Sequence, residues 1–299
     1  MYDPDQARWT EIADAPLPIG YGTGAVADGR LYLLITDGGS THPEVRRAFV
    51  SYDPGRDVWA ELEAPPDDPT LMLAPAGDDI IAYQSTQENG VTADLIYNPD
   101  DQSWSELPRD PLRPSFDRSI VWTDAGLVLL GIEVVPNPGS KEPSFYRAAI
   151  LDGSGRWVRL PDSEVIGWNP QWSWSAGQVV NASIESADGG EVNGWGRSYP
   201  AGGMLDPITK EWAPLPSVPA RAGDFTGIYA FGGSRALVGS GWTFDAASGG
   251  WLELSRPDGA PESEAAAAWV GDELFVWGGV RFARNEGELL GDGWRWSMP

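Results

Sequence analysis

The stretch Ser51-Tyr52-Asp53-Pro54-Gly55-Arg56-Asp57-Val58-Trp59-Ala60-Glu61-Leu62 decides how the chain is read. An aromatic residue, Asp-Pro, a short turn, a Trp and then a Leu read as strand, tight turn, strand. Asp-Pro starts such turns because Pro presets φ and the Asp side chain can bond the backbone two residues on. The same unit recurs at Tyr2-Asp3-Pro4 to Trp9 and Ile12, and at Tyr97-Asn98-Pro99 to Trp104 and Leu107. It returns at Leu151-Asp152-Gly153 to Trp157 and Leu160, at Leu205-Asp206-Pro207 to Trp212 and Leu215, and at Phe244-Asp245-Ala246 to Trp251 and Leu254. The steps between tryptophans are 50, 45, 53, 55 and 39 residues, with a mean of about 48, which suits propeller blades.

Between the copies lie β-branched or aromatic runs at 30–35, 79–83, 126–132, 178–184, 235–238 and 273–277, bounded by turn residues. Further small or apolar stretches precede several of them, at 22–26, 119–122, 225–229 and 265–270. Each unit therefore has four antiparallel strands, and no amphipathic helix is evident. The reading is an all-β, six-bladed propeller forming a single domain over 1–299. Its blades run approximately 17–62, 65–107, 112–160, 163–215, 218–254 and 259–299. Residues 1–12 are expected to complete the last blade, which leaves no open sheet edge at the seam.

This pattern resembles the kelch-repeat family of β-propellers, bacterial and degenerate in its repeats. The aromatic-Asp and Trp elements are well kept, whereas the family's Gly pair appears as Gly38-Gly39 and Gly278-Gly279, and Gly232-Gly233 falls early. The resemblance implies the architecture of the galactose oxidase-like central domain. It does not imply one activity, because the fold hosts scaffolds and enzymes alike.

Composition removes several chemistries. The 20 Lys and Arg against 44 Asp and Glu give a net charge of −24, so nucleic acid and anionic membrane surfaces are not expected partners. No run of 18 apolar residues spans a membrane. With no Cys and one His, thiolate sites, multi-histidine metal sites and the cross-linked copper centre of kelch-type oxidases are excluded. Lys occurs only at Lys141 and Lys210, which points to a GC-rich bacterial source. His42 sits in a Thr-His-Pro turn and is read as a surface residue. A monomer is expected, exported if a leader has been trimmed and otherwise cytoplasmic.

Polar residues on the first strand of each blade are the candidates for function: Tyr21, Thr23, Thr70, Asp117, Arg118, Arg221, Asp224, Glu262 and Glu264. Arg118 and Arg221 either tie neighbouring blades together or clamp an anionic ligand. The fourth unit departs most from the rest and carries Trp168, Trp172, Trp174, Trp195 and Tyr199 beside Asn169, Asn193 and Arg197. Flat rings next to amide and guanidinium donors suit a sugar or the anchors of a protein interface; packing of a longer blade explains them equally. Segments 133–146 and 282–292 read as solvated face loops.

Two functions follow. The first is a non-catalytic binding propeller that presents a loop-bearing face to a protein or glycan. The alternative is a carbohydrate-active enzyme, a sialic-acid or other sugar hydrolase or epimerase, with Asp117, Asp224, Glu264 and Tyr21 as catalytic candidates at the channel mouth. No cofactor is expected. The pairs Asp67-Asp68, Asp78-Asp79 and Asp100-Asp101 leave calcium as an alternative, although none has the alternating ligand spacing of a calcium loop.

Overall fold

The computed structural model describes residues 1–3, 8–37, 46–66, 71–85, 93–112, 114–135, 143–166, 172–184, 186–187, 198–218, 230, 236–239, 242–254, 258–260, 265–283 and 286–298. These residues are all-β, without helices, and form two compact units, Met1–Asp110 and Pro111–Pro299.

In the first unit, β1 (Tyr2–Asp3) and β2 (Arg8–Trp9) form a hairpin. The first blade is β3 (Tyr21–Ala27), β4 (Arg30–Thr36), β5 (Arg47–Asp53) and β6 (Val58–Leu62), each strand antiparallel to the next. The second repeats the order with β7 (Leu71–Ala76), β8 (Asp79–Gln84), β9 (Leu95–Asn98) and β10 (Ser103–Glu106). A core of Tyr32, Phe49, Leu73, Ile80 and Tyr97 lies between the two sheets. Thr23, expected as a polar lining residue, is buried, and its Oγ1 accepts the Leu73 N–H at 3.1 Å, tying blade to blade.

In the second unit, the third blade is β11 (Ser115–Thr123), β12 (Gly126–Glu133), β13 (Tyr146–Leu151) and β14 (Trp157–Arg159). The fourth comprises β15 (Ser173–Ser175), β16 (Gln178–Asn181), β19 (Gly203–Asp206) and β20 (Glu211–Ala213). It is lengthened by an inserted hairpin of β17 (Ser186–Ala187) and β18 (Tyr199–Pro200). The fifth shows β21 (Ala236–Gly239), β22 (Trp242–Asp245) and β23 (Gly250–Glu253). The C-terminal sheet is β24 (Ala266–Val270), β25 (Glu273–Trp277) and β28 (Gly293–Ser297), interrupted by a hairpin of β26 (Val280–Ala283) and β27 (Glu286–Leu289).

Three expectations are corrected. Five blades end on their own Trp-bearing outer strand (β6, β10, β14, β20, β23), so the described residues form five propeller blades, not six. Among the described residues the C-terminal sheet has three strands, and β1 pairs with β2 as a separate two-stranded sheet. Within 282–292, expected to be a solvated loop, part of the chain is instead paired as the β26–β27 hairpin, and it leaves Phe282 and Leu289 exposed.

The repeated residues have repeated jobs. Asp53 Oδ1 accepts the N–H groups of Gly55 and Arg56, Asn98 those of Asp100 and Asp101, Asp152 those of Ser154 and Arg156, and Asp206 those of Ile208 and Thr209. Asp245 accepts from Ala247 in the same way. The aromatic residue before the Asp faces the Trp across the hairpin, with ring centroids 4.8 Å apart for Tyr52–Trp59 and 5.0 Å for Tyr97–Trp104 and Phe244–Trp251. Four of these tryptophans then reach back along the chain. Trp59 Nε1 donates to the Ala13 carbonyl at 2.8 Å, Trp104 to Glu63 at 2.8 Å, Trp212 to Pro161 at 2.8 Å and Trp251 to Pro216 at 2.9 Å. The half-buried ring supplies apolar area while the N–H satisfies a carbonyl of the segment that leads into that blade.

Candidate functional site

In the first unit the turn ends of the first two blades enclose a cleft of about 180 Å³. Arg30 and Tyr32 from β4, Ser51 and Asp53 from β5 and Val58, Ala60 and Leu62 from β6 line one side, with Arg56 from the turn. Tyr97, Pro99 and Gln102 close it from the second blade. Asp53 Oδ2 lies 3.8 Å from the Nε atoms of both Arg30 and Arg56. The Tyr32 side chain hydrogen-bonds Arg30 and is the main reason its guanidinium is held even more firmly protonated than usual. Burial pushes the Tyr97 hydroxyl above its ordinary pKa. The cleft thus offers charged and amide groups above two buried tyrosines.

A second constellation lies on β11 of the third blade. Phe116 pairs with Ile132 and Ser119 with Leu130, so Asp117 and Arg118 together oppose the single residue Gly131. This is a β-bulge, and it puts Asp117 at φ 46°. A Cβ on Gly131 would stand 2.9 Å from Ser115 Oγ and 3.2 Å from Arg118 Cγ, so the bulge requires glycine opposite it. Burial pushes the Asp117 carboxyl above the usual range, while the Tyr146 hydroxyl donates to its main-chain oxygen at 3.4 Å. Arg118 is fully buried.

The other sequence candidates are placed as follows. Tyr21 is exposed at the start of β3. Trp172 is buried in the core of the second unit, edge-on to Tyr146 and Trp212 at centroid distances of 5.2 and 5.7 Å, and Trp174 packs against the same core. Tyr199 is buried edge-on against Phe145. Thr70, Trp168, Asn169, Asn193, Trp195, Arg197, Arg221, Asp224, Glu262, Glu264 and His42 lie outside the described residues. Asp79 accepts from the Asn98 amide at 3.0 Å, and no group of three metal-ligating side chains occurs among the described residues.

Sequence reasoning passed over the cleft because Asp53 was read for its turn. A signal was present. Arg30 and Arg56 flank the repeat in the first blade, where the second blade has Asp79 and Asp101 at the corresponding places.

These blades define the class: an all-β protein of β-propeller type. No family model and no curated protein matches the chain. Among solved structures it is similar to that of YjhT, at 14% identity over 96% of this chain and 84% of that one, with a TM-score of 0.49.

Proposed function

We propose that the protein is a non-catalytic binding propeller whose ligand is a segment of a glycan or protein. The repeat supports setting it beside the kelch propellers. The observation that carries the binding reading is the cleft between the first two blades, where Arg30, Asp53, Arg56 and Gln102 surround a tyrosine floor. Such a mixture of directional donors and flat apolar surface recognises polar ligands without performing chemistry on them. Ala60 is exposed on the wall of the cleft, so Ala60→Trp fills it without disturbing the core. Ligands found on glycan and peptide arrays lose affinity by about tenfold or more in Ala60→Trp at unchanged melting temperature. Full binding by that variant overturns the reading.

A second reading rests on Asp117. A carboxyl whose pKa is raised by burial is suited to act as a general acid in sugar chemistry, with Asp224 or Glu264 as the second carboxyl. Under this reading Asp117→Asn abolishes turnover of a bound sugar; absence of turnover by the wild-type protein on any sugar it binds dismisses it.

A further inference from the structure

Resting on the reading of that cleft as a binding site, we infer that it is selective for an oxyanion, the carboxylate or phosphate group of a small ligand held between Arg30 and Arg56. The chain carries a net −24, yet two guanidiniums and one carboxylate line this cleft. Asp53 does not consume the two cations. Its Oδ1 accepts the Gly55 and Arg56 N–H groups at 2.9 and 3.2 Å, and its Oδ2 meets each arginine through Nε at 3.8 Å, beyond hydrogen-bond distance. No bidentate pair forms there, and bidentate pairing is what a guanidinium offers an oxyanion best. Asp28 also acts on Arg30, as the weakest of its electrostatic neighbours, but it does not line the cleft. The volume of about 180 Å³ admits a compact headgroup. The second blade does not repeat this charge pattern, since it holds an Asp79–Asn98 pair where the first holds Arg30 and Asp53.

The test is a titration of the full chain with sodium phosphate and, separately, with sodium succinate at constant ionic strength, following the arginine Nε–H resonances by NMR. A saturable shift of the Arg30 signal, with a dissociation constant in the millimolar range, is expected for at least one anion. Phosphate alone identifies a phosphoryl ligand, succinate alone a carboxylate, and both the shared oxyanion chemistry. Arg30→Gln weakens binding about tenfold and Arg56→Gln about threefold. Asp53→Asn keeps the turn-capping oxygen and removes the competing charge, so it tightens binding about threefold; a purely structural Asp53 has no such effect. No saturable shift up to about 50 mM of either anion, or Asp53→Asn binding no more tightly than wild type, overturns the inference. If array ligands still bind and Ala60→Trp still blocks them while neither anion does, the binding reading stands and anion selectivity alone falls. If Ala60→Trp also binds those ligands fully, both fall.

Discussion

Two aspartates of the third blade, Asp117 and Asp152, are displaced in opposite directions from the ordinary carboxylate range. Asp152 sits in the repeated turn, where the Ser154 hydroxyl first, then the Arg156 and Ser154 N–H groups, stabilise its charge and lower its pKa. Asp117 sits in the bulge, where burial alone raises its pKa. One carboxylate is engaged by the fold, and the other is held against the fold's preference. In the repeated turn the carboxylate oxygen is occupied by capping; in the bulge, where the strand departs from the repeat, the carboxyl carries an uncompensated desolvation cost. Strain and a perturbed carboxyl at one place are the features that mark such departures.

The largest effect is expected from the repeat. Trp104 packs on Phe49 and Tyr97 and donates to Glu63, so Trp104→Ala costs about 3 kcal/mol in chemical denaturation. Trp104→Phe keeps most of the ring and loses the tie, at about 1 kcal/mol. Trp122 is outside the repeat and 46% exposed, and Trp122→Ala costs less than about 1 kcal/mol. Equal losses for Trp104 and Trp122 would erase the distinction between repeat and non-repeat tryptophans. Next comes Gly131→Ala, which drives a methyl group against Ser115 and Arg118 and costs about 1–3 kcal/mol by the same assay.

The aspartates give smaller effects of opposite sign. A raised folded pKa contributes stability below the unfolded value and loses it as pH rises through the folded one. Asp117→Asn therefore melts about 2 °C higher than wild type at pH 7, and the gain disappears on acidification. Asn suits the left-handed backbone there, so the change isolates the charge. Asp152→Asn does the reverse, because a lowered folded pKa contributes stability above the unfolded value and loses it as pH falls through the folded one. It melts slightly below wild type at pH 7, with the two curves converging below about pH 4. Parallel pH profiles for the two variants would sink the comparison.

The blades were legible in the sequence because their chemistry is local. Tyr-Asp-Pro, a short turn and Trp specify a hairpin within one stretch, and the apolar runs at 30–35, 79–83, 126–132 and 273–277 fall on β4, β8, β12 and β25. The number of blades was not legible, since a hairpin motif does not state which sheet it joins; β1 and β2 pair as the other hairpins do, yet they form a two-stranded sheet of their own. Trp172 and Trp174 show the same limit, as an aromatic cluster in sequence reads alike whether it faces a ligand or the core that it meets here. The bulge had a sign that went unused. Gly131 interrupts an otherwise β-branched and leucine-rich strand, and a lone glycine in that position points to a bulge or a close backbone approach. The cleft depends on residues from two blades, and only their juxtaposition in space brings Arg30, Arg56 and Gln102 to one opening.

The tryptophan ties have an evolutionary corollary. In the four ties formed by Trp59, Trp104, Trp212 and Trp251, donor and acceptor are 46, 41, 51 and 35 residues apart, about one repeat length. A gene segment of that length encodes both halves of its own clamp. Tandem duplication therefore inserts a module that arrives with its fastening already built in, and each copy is free to diverge in its loops so long as it keeps the Asx cap, the Trp and the carbonyl to which the Trp donates.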